Sequence, residues 1–230
     1  MGALSRVLGM RGAWLLLAAM GIGGFAPADF ASAREPTDKL VPERTSNASA
    51  VARPRQFPDG QAWTIEGGLA WGIGFSNAVV FVPHGFVHDR AGVPPALWSL
   101  ASYTRAAIVH DWLYWAQPCS RLQADNLLMI AMKESGISWW RRQMVYRGVR
   151  MQGEAVWRRN AEERAKGLPR INPYGYVPDN LTWRQLRARM IREGVRDLPY
   201  VDPGLYCRFG DSQQVPGPPP GIDRAHGQRD

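Results

Sequence analysis

A histidine and an aspartate stand side by side in an apolar stretch, AAIVHDWLYWAQ, at positions 106–117. On a helix, His110 shares its face with alanine, leucine and tyrosine, so its ring is expected to point inward. Asp125 is a charged residue on the otherwise apolar face of the next helical segment, and a buried charge needs a partner. His110 lies eight residues before Pro118 and Asp125 lies seven after it, so the two stand level if the helices fold back on each other. Such an aspartate can orient a histidine that acts as a general base.

A purely structural interpretation of the same residues stays open. A buried histidine–aspartate pair can simply bridge two helices, and Asp125 can instead pair with Arg121 or Arg105. Asp111 lies one position further round the first helix, so its carboxylate faces a neighbouring edge, where it could bind a cation. The sequence therefore predicts a polar centre between two helices and leaves its chemistry undecided.

The elements that would hold this centre are two strands and several helices. Strands are predicted within 62–71 and 78–83, which are rich in β-branched and aromatic residues. Ser120 is a good helix N-cap, and Gly136 is typical of the position after a helix end. Helices are predicted over about 95–116 with a break near Ser102, about 120–135, 137–167 and about 182–193. The predicted fold class is α+β: a small β-hairpin or sheet followed by a three-helix unit, with an irregular C-terminal extension.

Composition divides the chain into five parts. Residues 1–33 have a basic start, an apolar run and the cleavage pattern Ala31-Ser32-Ala33, which together predict a signal peptide. The apolar run is shorter than the ~20 residues that cross a bilayer, so no transmembrane helix is expected in the mature protein. The protein is thus expected to be exported, either to the periplasm of a bacterium or out of the cell. The other parts are a disordered tether (34–58), a globular domain with the His–Asp pair (59–166), an extension with one short helix (167–214) and a disordered tail (215–230).

The exported part is positively charged. The chain has 28 Lys and Arg against 20 Asp and Glu, and residues 1–33 carry two of the arginines and Asp29, which leaves 26 basic and 19 acidic residues and a net charge of +7. This charge favours anionic lipid or a cell-envelope polymer as partner over nucleic acid, although it also serves solubility. Cys119 and Cys207 are an even pair in an oxidising compartment, so a disulfide between them is allowed.

The third predicted helix is basic and aromatic. Residues 137–160 contain six arginines and one glutamate, together with three tryptophans and one tyrosine. Such a helix can lie at a membrane interface, with its rings at the headgroup level and its arginines on anionic lipid. The alternative is a core helix whose apolar stripe covers the first two helices.

Two motifs resemble one known family. A loop reads GFVHDRAGVP, from Gly85 to Pro94, and the helical string reads AAIVHDWLY, at 106–114. Together they resemble a bacterial and phage family catalogued as domain of unknown function 1353, with the pattern GF-x-x-D-x-A-S-V-P followed by A-A-x-x-H-D-x-L-Y. The resemblance covers about residues 61–160 and implies a fold unit without an established activity. The chain departs from the pattern at Gly92, where the family usually has serine, and at His88, often threonine.

A more distant resemblance implies a chemistry. Secreted calcium-dependent phospholipases (the A-two class) carry H-D-x-x-Y on one helix and an aspartate on an antiparallel partner helix. His110, Asp111 and Tyr114 match the first element, and Asp125 matches the second. The resemblance implies that His110 activates a water molecule, that Asp125 orients it, and that Asp111 and the loop of Asp89 hold calcium. It thus implies a lipid esterase.

The same residues allow other interpretations of the site. The string AAIVHDWLY is also similar to the A-x-x-H-D-x-G-x string of metal-dependent HD phosphohydrolases. His84, His88 and His110 could hold a catalytic zinc, which takes three protein ligands. The glycine-rich stretch WGIGFSN, at 71–77, is a second candidate for a calcium loop. The expected function is an envelope hydrolase, and the alternative is a non-enzymatic envelope or phage-derived structural or interaction module.

Overall fold

Five short strands open the part of the chain that the computed structural model describes, residues 53–89, 101–173, 180–197 and 202–218. The predicted signal peptide, most of the predicted tether, the end of the GFVHDRAGVP loop and the predicted start of the first helix lie outside these ranges. The strands are β1 (Arg53–Gln56), β2 (Trp63–Glu66), β3 (Leu69–Gly72), β4 (Val79–Val82) and β5 (Val87–His88). One antiparallel sheet has the order β1-β2-β5, and β3 pairs with β4 in a second antiparallel sheet.

Two glycines carry the chain from the first sheet to the second. Gly67 and Gly68 have φ angles of +90° and +76°, a left-handed backbone that glycine adopts without strain. They divide the predicted strand run 62–71 into β2 and β3. The predicted α+β class is confirmed, with the strands distributed over two small sheets.

β1 corrects the predicted start of the globular domain. This strand lies within the segment predicted to be a disordered tether, yet Arg53 pairs with Glu66 and Gln56 with Trp63 on β2. Phe57, the next residue, is buried in a small core beneath the last helix. The sequence of this edge strand is polar and contains a proline, and it shows no apolar alternation. It pairs with β2 through backbone hydrogen bonds, which the side-chain pattern does not reveal.

Four α-helices follow in the described ranges: α1 (Ala101–Ala116), α2 (Arg121–Glu134), α3 (Trp139–Ala165) and α4 (Trp183–Arg192). Their ends are close to the predicted ones, and the predicted start of α1 at about 95, with the break near Ser102, falls at the edge of the described residues and stays a prediction. α2 begins at the predicted N-cap. The Ser120 side chain accepts a hydrogen bond from the backbone amide of Gln123, and the Gln123 side chain accepts one from the backbone amide of Ser120. Residues 124–132 of α2 are all buried, so α2 is the central helix.

A disulfide closes the turn between α1 and α2. Gln117 has a φ angle of +51°, and Pro118 follows, so the chain leaves α1 and reverses direction. Cys119 is bonded to Cys207, with 5.3 Å between their Cα atoms. Cys207 begins a short 3₁₀ helix that ends at Asp211 and packs on α2. The disulfide that the sequence allows is therefore formed.

The C-terminal segment contacts the rest of the described protein up to Pro216, one residue beyond the predicted start of the disordered tail. Asn126 on α2 donates a hydrogen bond to the carbonyl of Gly210 at 2.8 Å. The backbone amide of Phe75 donates to the carbonyl of Pro216 at 3.0 Å, within the tail that was predicted to be disordered from residue 215. These contacts use the backbone, so the proline-rich composition of the tail does not reveal them.

The apolar side chains of the described residues form two cores. The larger one lies between α1, α2, α3 and both sheets. The smaller one lies beneath α4 and consists of Phe57, Ala62, Val87, Leu186 and Met190. Within the described ranges, no helix is long and apolar enough to cross a membrane.

Candidate functional site

α1 and α2 bring His110 and Asp125 into contact, as their equal distances from the turn predict. Nε2 of His110 lies 2.9 Å from Oδ1 of Asp125. The carboxylate is completely buried, and the histidine side chain is 7% exposed. The prediction that a buried aspartate stands level with a buried histidine is confirmed.

Four side chains converge on Asp125. Besides the histidine, the hydroxyl of Tyr114 donates a hydrogen bond to Oδ1 at 2.7 Å. On the other side, Oδ2 lies 2.8 Å from Nη1 of Arg150 and 3.4 Å from Nη1 of Arg121. Arg121, the alternative partner considered from the sequence, therefore binds in addition to the histidine, whereas Arg105 is exposed.

The surroundings keep the carboxylate of Asp125 charged. Burial by itself raises its pKa, but hydrogen bonding and charge from His110 and hydrogen bonds from Tyr114 and Arg150 hold the pKa below its ordinary value of 3.8. Burial and then the charge of Asp125 raise the pKa of Tyr114, so the phenol stays a donor. Because a charged carboxylate only accepts, Nε2 of His110 must donate to it. The neutral ring then carries its acceptor lone pair on Nδ1.

His110 and Asp111 lie in the wall of a cavity of about 180 Å³. Its other walls are α3, the loop of Asp89 and the segment that carries Arg170. Exposed residues of α3 take part in the lining, so the cavity opens to solvent. With Nε2 bound to the buried aspartate, Nδ1 is the ring nitrogen left for a molecule in the cavity.

Both carboxylates predicted to bind a cation line this cavity. Oδ2 of Asp111 lies 3.9 Å from Nδ1 of His88, which is completely buried and stacks on Trp63. Oδ2 of Asp89 lies 3.7 Å from Nη2 of Arg170. Among the residues that the structure describes, no group of three or more His, Cys, Asp and Glu side chains is arranged to hold a metal ion. A cation in the cavity would therefore need backbone oxygens or water as further ligands.

The three histidines considered for zinc have different partners. Nδ1 of His84 accepts a hydrogen bond from the backbone amide of Gly67 at 2.9 Å. His88 lies beside Asp111, and His110 is bound to its own aspartate. Among the described residues these histidines form no group that could hold a metal ion, and the hypothesis of a three-histidine zinc site stays a prediction.

Two glycine-containing loops have structural partners. The loop at 71–77 is anchored to the end of α2, because Trp71 and a backbone amide of the loop both donate to Glu134. Gly85 has a φ angle of +80°, and a Cβ there would stand 2.0 Å from the carbonyl oxygen of Asn172. The backbones of Gly85 and Asn172 are thus in direct contact, which only glycine allows.

Arg150 and Gly153 belong to the site but were not among the predicted residues. Both are on α3, where Val145 and Val149 also face the first two helices. The i, i+4 spacing of Val145, Val149 and Gly153 was the available signal for that face. Arg150 borders it, and nothing in the spacing indicates which residue of α3 reaches Asp125.

Comparison with known proteins agrees with one of the three resemblances, the one to the family of unknown function. Residues 63–149 match the family described as "Protein of unknown function (DUF1353)". Searches of curated proteins and of solved structures each found no match. The likeness to phospholipases stays a prediction. The segment that carries His110 and Asp125 is therefore similar to a family of unknown function.

Proposed function

We propose that the cavity beside His110 is the active site of a hydrolase of the bacterial envelope, and that its substrate is a lipid ester. One observation carries the proposal: Nε2 of His110 is bound to Asp125 at 2.9 Å, and the same ring lies in the wall of an open cavity. A histidine held in this way can accept a proton from water at Nδ1.

In the proposed reaction, a water molecule gives a proton to Nδ1 of His110 as its oxygen bonds to the ester carbonyl carbon. Asp125 stabilises the imidazolium that results. The ester C–O bond then breaks, and His110 returns the proton to the leaving alkoxide, so that a carboxylic acid and an alcohol are released. Tyr114 keeps the aspartate in place through its hydrogen bond of 2.7 Å.

Calcium is the proposed cofactor. Asp111 and Asp89 would hold it, since both line the cavity and offer carboxylate oxygens, with backbone and water completing about six to eight ligands. His88, 3.9 Å from Asp111, and Arg170, 3.7 Å from Asp89, compete with the ion for these oxygens. A bound calcium ion would neutralise the negative charge that develops on the carbonyl oxygen.

The lining of the cavity supports an anionic lipid as substrate. Arg159 adds positive charge for a phosphate group, and Arg170 would add more once calcium takes its partner Asp89, while Val149 and Val156 offer apolar surface for an acyl chain. The disulfide at the turn between α1 and α2 supports export, because such bonds persist in oxidising compartments. The net charge of +7 predicted for the exported part is suited to the anionic envelope.

The test is the release of fatty acid from phosphatidylglycerol vesicles in the presence of calcium. We expect the wild-type protein to hydrolyse the lipid and His110→Gln to be at least about a hundredfold slower, because the general base is lost. His84→Gln is the matched control, a histidine outside the cavity lining, and should keep the wild-type rate. Equal rates for wild type and His110→Gln would contradict the proposal.

A non-enzymatic structural or interaction module of the envelope or of phage origin is the second candidate. It is favoured by the four side chains that satisfy Asp125, as expected of a bridge that holds helices together. In that case the wild-type protein leaves the vesicles intact, and His110→Gln only lowers the free energy of unfolding.

A further inference from the structure

An exposed apolar stripe runs along the first half of α3. Trp140, Met144 and Met151 are 55%, 44% and 80% exposed. They are four and seven residues apart, so they lie on one face of the helix. The other side of the same helix buries Val145 and Val149 in the core. The two interpretations of this helix from the sequence, core and interface, thus apply to different faces.

Positive charge surrounds the stripe. Residues 139–153 contain four arginines and neither aspartate nor glutamate. The guanidinium of Arg141 lies 5.1 Å from the ring centre of Trp140, and Arg147 is exposed between Met144 and Met151. Arg141 and Arg142 lie in the first turn of α3, where positive charge opposes the helix macrodipole, whereas Arg150 is bound to Asp125.

Gly148 connects the stripe to the cavity. It lies four residues after Met144 and three before Met151, so it is on the same side of α3, and it lines the cavity. A Cβ built on Gly148 meets no atom within 4 Å. The rim of the cavity is therefore open where it borders the apolar stripe.

We propose that this stripe, with Arg141 and Arg147, docks on the surface of an anionic phospholipid bilayer and places the mouth of the cavity at the lipid. The tryptophan and the methionines enter the headgroup region, and the arginines bind phosphate groups. The role of the cavity in this arrangement rests on the proposed lipid hydrolase, but the docking itself does not. A bilayer fits this face better than an apolar protein surface does, because the stripe combines apolar side chains with the positive charge of Arg141 and Arg147.

The test is flotation of the protein with vesicles of phosphatidylcholine, with or without phosphatidylglycerol. We expect binding to the mixed vesicles that weakens as salt is added. The double variant Trp140→Ala, Met151→Ser should bind roughly tenfold more weakly, and Arg147→Gln roughly fivefold more weakly. Leu205→Ser, 76% exposed on the C-terminal segment, and Arg192→Gln, exposed on α4, are the matched controls and should bind like wild type.

Two results would overturn the docking proposal. One is that the wild-type protein does not float with anionic vesicles, or that the control variants lose as much binding as the stripe variants do. The other is a dimer in light scattering that dissociates in the Trp140→Ala, Met151→Ser variant, which would assign the stripe to a second copy of the chain. The catalytic variant His110→Gln should bind vesicles like wild type. If the wild-type protein binds vesicles but hydrolyses no lipid, only the hydrolase proposal fails. If the wild-type protein hydrolyses a soluble short-chain ester but does not bind vesicles, only the docking proposal fails.

Discussion

Gly153 is buried where α3 passes over Tyr114, and its replacement by alanine probes the packing of the site. A Cβ at this position would stand 2.3 Å from the hydroxyl oxygen of Tyr114 and 3.2 Å from two of its ring carbons. The ring cannot retreat easily, because its centre lies 4.2 Å from that of His110 and 5.1 Å from that of Trp157. Gly153→Ala must therefore displace the hydroxyl that holds Asp125.

The magnitude follows from three contributions to the free energy of unfolding. Alanine in place of glycine within a helix normally stabilises by about 1 kcal/mol. Overpacking costs about 1–3 kcal/mol, and a lost hydrogen bond to a charged group costs about 1.5–3 kcal/mol. The sum predicts that Gly153→Ala is destabilised by about 1.5–5 kcal/mol. Gly148→Ala, on the same helix with open space around its Cβ, should be as stable as wild type or more stable.

Urea denaturation followed by circular dichroism measures these differences. Tyr114→Phe removes the atom with the closest contact, so the double variant Gly153→Ala, Tyr114→Phe should be less destabilised than the sum of the two single variants. If Gly153→Ala is as stable as Gly148→Ala, or if the two changes simply add, then α3 does not press on Tyr114 and the account of the site is wrong.

Three further predictions concern the disulfide, acid and calcium. Cys207→Ser should lower the free energy of unfolding by about 4 kcal/mol in urea, since the bond closes a loop with a sequence separation of 88; a wild-type protein whose free energy of unfolding stays the same when reductant breaks the bond would contradict this. Because the folded protein lowers the pKa of Asp125 below 3.8, its contribution to stability is complete above that pH and is lost as the pH falls through the folded-state pKa. Urea titrations at falling pH should thus show a steeper loss for wild type than for Asp125→Asn, and equal slopes would refute it. Calorimetric titration should show calcium binding that is lost in Asp111→Asn and kept in His110→Ala; binding that survives Asp111→Asn would place the ion elsewhere.

The contact between His110 and Asp125 could be predicted because it depends on short-range geometry. Two helices joined by a short turn at Pro118 must fold back, and residues at equal distances from that turn then lie side by side. The N-cap at Ser120 is likewise a local signal, since its hydrogen bonds involve residues three apart. These features need no knowledge of the rest of the chain.

The remaining features depend on contacts between distant parts of the chain. Arg150 reaches Asp125 only because of how α3 is rotated about its axis, which the packing of the whole core decides. β1 exists because β2 offers a partner for its backbone. Gly85 is needed because the backbone of Asn172 approaches it. A single sequence shows the types of these residues but not the partners that they meet.

The tautomer of His110 tests the central claim most directly, because general-base chemistry in the cavity requires a free lone pair on Nδ1. It can be measured from the nitrogen-15 chemical shifts of the imidazole ring, assigned by comparison with His110→Gln. We expect the neutral ring to carry its proton on Nε2, where it is donated to Asp125, and the Nδ1 signal to be that of an unprotonated nitrogen. A neutral ring with its proton on Nδ1 would contradict the account, because His110 could then not accept a proton from water in the cavity.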